Sequence, residues 1–177
     1  VEEAHRGTLF LDEIGEMEYD AQSKLLRFLQ DMSYRRVGST KSRKSDTRIV
    51  SATNRDASTL VKEGVFREDL YYRLNVVPIN IPPLRKRRSD IPLLRKRFVQ
   101  DAETRYQKGP LEVSSQALDA LVAHDWPGNV RELKNVIERV VILCRHAHIG
   151  VEQLPPEITG AASAEPVVPQ QVQLQWN

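Results

Sequence analysis

The 177-residue sequence contains a single cysteine, Cys144. That excludes an internal disulfide framework and fits a reducing cytoplasm. Cys144 lies in the apolar run VVILC, which reads as buried filler rather than as a nucleophile. No apolar run approaches the ~20 residues that a membrane span needs, and the first residues lack the apolar core of a signal peptide. Neither sign of charge dominates. Lys and Arg number 26 against 24 Asp and Glu, and a net +2 is no polyanion-binding signature. There are only eight glycines, and nowhere do they form G-x-x-x-x-G-K-[ST], the loop that cradles phosphates.

What is present suffices for a soluble fold. Hydrophobic residues make up 40% of the chain and charged residues 28%, as in one domain or one plus a small appendage. The most informative stretch is GTLFLDE, Gly7 to Glu13, in which Thr8, Leu9, Phe10 and Leu11 run into two adjacent carboxylates, Asp12 and Glu13. In one reading a strand ends at the surface and the acids are its solvated tip. In the other the run is a central strand of a parallel sheet, buried on both faces and so apolar without alternation. Ligands in such sheets sit at the carboxyl ends of strands, which would set both acids beside one. The run begins a few residues into the chain, so the sequence reads as part of a longer protein.

Downstream, helical and extended patterns alternate. Asp20 is placed to cap AQSKLLRFLQDM, where Ala21, Leu25, Phe28, Leu29 and Met32 recur at helical spacing. YRRVGS leads into a polar, basic loop, TKSRKSD. TRIVSATN is a second β-branched run, closed by the amide Asn54. RDASTLVKEGVFREDLYYRL is helical in pattern with a break at Gly64, and prolines keep NVVPINIPPL extended. Strands alternating with helices predict an α/β sheet. From Arg85 onward the pattern is helical. Ser89 and Asp90 precede IPLLRKRFVQDAETRYQ, with Pro92 in its first turn. SSQALDALVAHDW has a serine cap. After the turn WPGN, Asn129 is placed to cap VRELKNVIERVVILC, in which Val130, Leu133, Val136, Ile137, Val140 and Val141 share one wide face. The tail GAASAEPVVPQQVQLQWN, with almost no charge, reads as a disordered linker.

GTLFLDEIGEM, QSKLLRFLQ, RRVGS, RIVSATNRD, FREDLYYRLNVVPINIPPLRKRRSDIPLL and WPGNVRELKNVIERVVIL follow one another in order. Together they resemble the AAA+ central domain of sigma-54-dependent transcriptional activators, the bacterial enhancer-binding proteins, over residues 1–158. GTLFLDE alone fits many ATPases; FREDLYYRL followed by IPPLRKR and WPGNVREL is far more specific. The resemblance implies the C-terminal part (1–84) of an α/β, P-loop-type nucleotide-binding subdomain, an all-helical lid (85–158) and a linker (159–177). It implies ATP and Mg²⁺ as cofactors, self-association in a hexameric or heptameric ring, and sigma-54 RNA polymerase as the target. DNA would be contacted through a separate domain, and the setting would be cytoplasmic.

By the same resemblance, Asp12 matches the Walker B aspartate that holds Mg²⁺, and Glu13 the glutamate that polarises the attacking water. Asn54 matches the sensor I amide. Arg67 and Arg73 match the arginines offered to a neighbouring subunit's γ-phosphate, and Arg131 matches the sensor II arginine of the lid. Guanidinium suits the arginine roles because its planar fork stays protonated and binds oxyanions at two points. Six residues apart on one continuous helix, Arg67 and Arg73 would point about 120° apart, so both need not touch one phosphate. The plain alternatives are a pair of either arginine with Glu68 or Asp69, a pair of Arg131 with Asp125 or Glu132, and a turn role for Asn54.

Other candidates are weaker. His146 and His148 form an HxH pair with no acid or cysteine to complete a metal set. KSRK reads as a solvated loop, and LRKRR as a polar connection into the lid. The family's Walker A loop, its GAFTGA loop and a helix-turn-helix do not occur in these 177 residues. The sequence therefore carries the second half of an ATPase site without the phosphate cradle. Two rival readings remain: a non-catalytic interaction module, and another kind of AAA+ ATPase.

Overall fold

The structure is a computed structural model that describes residues 1–145 and 147–160. His146, one half of the HxH pair, lies outside the described residues, as does the expected linker from residue 161 on. The chain divides into two compact units, Val1–Ile79 and the residues from Asn80 on.

In the first unit, β1 (Thr8–Leu11) pairs in parallel with β4 (Arg48–Ser51), with Leu9 opposite Ile49 and Leu11 opposite Ser51. Three helices belong to this unit: α1 (Tyr19–Asp31), α2 (Ala57–Lys62) and α3 (Glu68–Leu74). Its core gathers Ile14, Phe28, Leu29, Leu60, Phe66 and Leu70, with Leu9, Leu11 and Ile49 packed against it. These three strand residues share one face of the sheet.

The opposite face is open among the described residues, which departs, for these 177 residues, from the one of the two readings that buries β1 on both sides. Phe10 is 57% exposed and Val50 38%. The apolar run lacks alternation in sequence, yet among the described residues the core lies on one side of the pair only. A second correction concerns KSRK. Ser42–Lys44 form β3, antiparallel to β2 (Ser33–Arg35), rather than a loop. Gly38, at φ 77°, lies in the turn between these strands, and Arg43 and Arg36 both pair with Glu2 near the chain start. At α1 the helix begins one residue before Asp20, and its cap position, Glu18, makes no side-chain cap bond. The break at Gly64 does separate α2 from α3, with Gly64 at φ 72°.

The second unit contains α4 (Ile91–Tyr106), α5 (Ser115–Ala123), α6 (Asn129–Leu143) and the short α7 (Pro156–Thr159). α4 lies along α6. Leu133, Val136, Ile137, Val140 and Val141 of α6 are buried, as their spacing predicts, together with Val99, Leu121 and Trp126. Ser114 caps α5 by accepting from the Ala117 N–H at 3.1 Å. The unit also holds one short parallel pair, β5 (Glu112–Val113) beside β6 (His148–Ile149). This qualifies the all-helical expectation: the connector after α4 satisfies its N–H groups on Ala147 and Ile149, at 2.9 Å each. Among the described residues, no helix is long and apolar enough to cross a membrane.

Candidate functional site

Because β1 and β4 are parallel and in register, the chain leaves both strands at the same edge of the sheet. There the Ala52 N–H donates to the Leu11 carbonyl at 2.8 Å, and the Ile14 N–H donates to the Ala52 carbonyl at 3.1 Å. These two bonds hold the segment Asp12–Glu13 beside the segment Ala52–Asn54. Asp12, Glu13 and Asn54 are all exposed. Asn54 does not close the strand itself. It stands three residues past Ser51, in the loop before α2.

Glu13 adopts φ 52°, ψ 40°, the left-handed region. For a residue with a Cβ this conformation costs about 1–3 kcal/mol and persists only where the surroundings impose it. Here they do. On one side Glu13 donates its N–H to Asp12 Oδ1 at 3.0 Å. On the other the chain turns into a 3-10 turn, Ile14–Glu16, whose Ile14 and Gly15 are buried. Gly15 lies so close to the opposite loop that a Cβ there would sit 2.7 Å from Thr53 Oγ1 and 3.0 Å from Leu60 Cδ1. Thr53 Oγ1 in turn accepts from the Arg55 N–H at 3.1 Å. Asp56 caps α2, accepting from the Ser58 N–H at 2.9 Å. Its carboxyl is held below the usual carboxylate range, first by the hydrogen bond from the Ser58 hydroxyl. The loop bearing Asn54 is thus pinned on both sides.

Arg67 and Arg73 belong to the α1–α3 part of this unit. They do not share one helix: Arg67 is the residue before α3, with extended backbone, and Arg73 lies in the last turn. The Arg67 fork grips Asp69, Nε to Oδ1 at 3.0 Å and Nη2 to Oδ2 at 2.8 Å. Its Nη1 donates to Ser23 Oγ at 3.3 Å, and its guanidinium lies 5.3 Å from the centre of the Tyr19 ring. The Asp69 hydrogen bonds raise the Arg67 pKa, and the same bonds hold the Asp69 carboxyl below its ordinary value. Arg73 donates through Nη2 to the Leu29 carbonyl at 3.1 Å.

Sequence reasoning missed Gln22. It is fully buried, at 0% exposure, and its amide bonds to backbone at Met17, Val65 and Arg67. The available signal was its spacing: Gln22 shares a helix face with Leu25 and Leu29, so a polar residue stood in an apolar stripe.

Arg131 lies in the second unit, exposed in the first turn of α6. Neither carboxylate considered as its partner engages it. Asp125 receives Arg88 at 2.6 Å, and Glu132 accepts from the Gly128 N–H at 2.8 Å. Asn129 is not the cap. It is the first residue of α6, at φ 54°, and its Oδ1 accepts from the Leu84 N–H at 2.9 Å. That bond joins the α6 start to the polar run after Pro83.

Among the described residues, no three His, Cys, Asp or Glu side chains cluster closely enough to hold a metal ion by themselves. At the sheet edge two exposed carboxylates, Asp12 and Glu13, stand on a segment bonded to the one that leads to the exposed amide Asn54.

Residues 1–80 match the sigma-54 interaction domain and residues 85–170 the AAA+ ATPase lid domain. The chain is 50% identical over 157 residues to the regulatory protein AtoC of Escherichia coli K12, covering 89% of this chain and 34% of that protein. It is 48% identical over 169 residues to the DNA-binding transcriptional regulator NtrC of Rhizobium meliloti, covering 94% and 34% respectively. The chain thus spans about a third of the length of these curated relatives. Among solved structures it resembles NtrX of Brucella abortus in complex with ATP, at TM-score 0.82 and 42% identity, over 89% of this chain and 38% of that one.

Proposed function

Matched along both units, the chain belongs to the AAA+ family of sigma-54-dependent transcriptional activators, and on that premise we propose that it forms part of an ATPase motor in a longer protein. The motor couples ATP hydrolysis in a subunit ring, hexameric or heptameric, to remodelling of RNA polymerase bound to sigma-54. DNA is contacted through a separate domain, and the protein works in the cytoplasm. The observation that carries this reading is the juxtaposition of Asp12, Glu13 and Asn54 at the carboxyl edge of two parallel strands, with Glu13 held in an enforced left-handed conformation. The ATP-bound NtrX of B. abortus, of like fold, supports nucleotide as the ligand.

Each candidate residue has a role in this reading. Asp12 is the carboxylate that holds Mg²⁺, and the donor set fits this ion, which takes one or two carboxylates plus phosphate and water oxygens rather than a full protein cage. When bound, the ion neutralises charge on the phosphate oxygens. Glu13 orients the attacking water and accepts from it. Asn54 donates its amide to a γ-phosphate oxygen. Arg131 of the lid binds the nucleotide of its own subunit. Arg67 and Arg73 act on the nucleotide of the next subunit, where an arginine finger is worth about 10³–10⁵ in rate.

Two substitutions in the full-length protein test the sheet edge. Asp12→Ala weakens Mg²⁺-ATP binding or hydrolysis. Glu13→Gln keeps the size of the side chain and loses its charge, so the protein binds ATP and stalls, with kcat down by about 10²–10⁴. Parental turnover in both variants would reduce the two acids to a solvated strand tip. The 177-residue chain by itself is a different matter, since it contains no Walker A loop. It binds ATP weakly and does not turn it over; micromolar affinity in calorimetry would overturn that expectation.

A further inference from the structure

Gln22 is the only fully buried polar side chain among the described residues, and all its bonds run to backbone. Nε2 donates to the Met17 carbonyl and to the Val65 carbonyl, each at 2.9 Å. Oε1 accepts from the Arg67 N–H at 2.8 Å. Three groups at the end of α1 nearest Arg67 converge on that arginine: Gln22 on its main chain, Ser23 and Tyr19 on its guanidinium. A helix whose only task was to fill the core would be served by leucine at position 22. Leucine would remove the glutamine's bonds to two partly buried carbonyls and to the Arg67 N–H, and each group so left carries a desolvation cost that grows with its burial.

From this geometry we infer that Gln22 is a positioning residue for Arg67: it fixes the main chain at the entrance to α3 so that the guanidinium is presented in one pose. The inference rests on the proposed action of Arg67 on a neighbouring subunit's phosphate. A finger contributes only when its fork is set before charge develops in transfer. A displacement of about 1 Å in a positioning group can cost about 10² in rate. The Val65–Arg67 segment follows Gly64, at φ 72°, and precedes the first turn of α3. The glutamine amide bonds the backbone of this segment directly to α1, at the Val65 carbonyl and the Arg67 N–H.

The test uses the full-length protein with Gln22→Met, which keeps length and apolar bulk and removes every hydrogen bond. The expected result is a kcat lowered by about 10² with ATP affinity within about twofold of the parent, as a group acting only in transfer requires. Mixing Gln22→Met with Glu13→Gln subunits then restores turnover, because at some interfaces a well-posed Arg67 faces an intact Glu13. Arg67→Ala mixed with Glu13→Gln serves as the reference. Recovery with Arg67→Ala but none with Gln22→Met, or a parental kcat in Gln22→Met, overturns the positioning role. A parental rate in Arg67→Ala removes the reading beneath it and is recognisable as such. If Gln22→Met does not fold, hydrogen exchange on the unaltered protein decides: the Arg67 amide is expected to exchange as slowly as the middle of α1, and exchange at open-loop rates overturns the inference.

Discussion

Asp69 shows how much a single carboxylate can reveal at the scale of residues. Its oxygens receive the Arg67 fork and the Leu70 N–H, the latter at 2.8 Å, and its folded pKa lies below the ordinary value, first because of Arg67. A depressed carboxylate pKa contributes stability above the unfolded value, and that contribution is lost as pH falls through the folded one. The pair is exposed, so the contribution is small and weakens with salt. An NMR titration of Asp69 is therefore expected to end below the usual range near about 3.9, and Arg67→Ala to move it back up. Equal midpoints in the two proteins would mean that the pair does not form in solution. Sequence made Asp69 one of two candidate partners for Arg67, since both acids stand within two residues of it. Geometry chose between them, because a fork at the residue before a helix meets the second helical side chain. Asn129 was misjudged as a cap for a related reason: a left-handed φ turned its side chain toward Leu84, and no propensity announces such a turn.

Among the elements, the one that sets Glu13 is the 3-10 turn pressed against the loop after β4. Gly15→Ala brings a methyl within 2.7 Å of Thr53 Oγ1, an oxygen already committed to the Arg55 N–H. The expected cost is about 1–3 kcal/mol, read as a lower urea midpoint with unchanged slope. Thr53→Ala in the same chain should recover part of it, because two substitutions in contact do not add. Additive losses would show that the turn and the loop do not touch. The two parallel strands and the helices that follow them were legible from β-branched runs, helical periodicity and glycine breaks. The hairpin β2–β3 was not, because its strands are three residues each and β3 is wholly polar and exposed. Nor was the single-sided burial of β1, since an unalternating apolar run does not say whether both faces are covered.

Considered whole, the chain separates a small sheet unit from a helical one, and each has a core of its own. The sheet unit leaves Phe10 and Val50 on an open face. Apolar surface of this kind is a common route to self-association. Sedimentation of the 177-residue chain is expected to show association that grows with concentration and is reduced by Phe10→Ser with Val50→Thr, while the melting temperature changes little. Equal association in the variant would place the contact elsewhere. The helical unit carries the sequence's single thiol, at Cys144, 5% exposed and donating through Sγ to the His148 carbonyl at 3.5 Å. Alkylation of that sulfur requires the surrounding unit to open, so its labelling rate is a clock for the opening of the lid alone. It needs no engineered tag, and it can be run on the 177-residue chain with its own sequence.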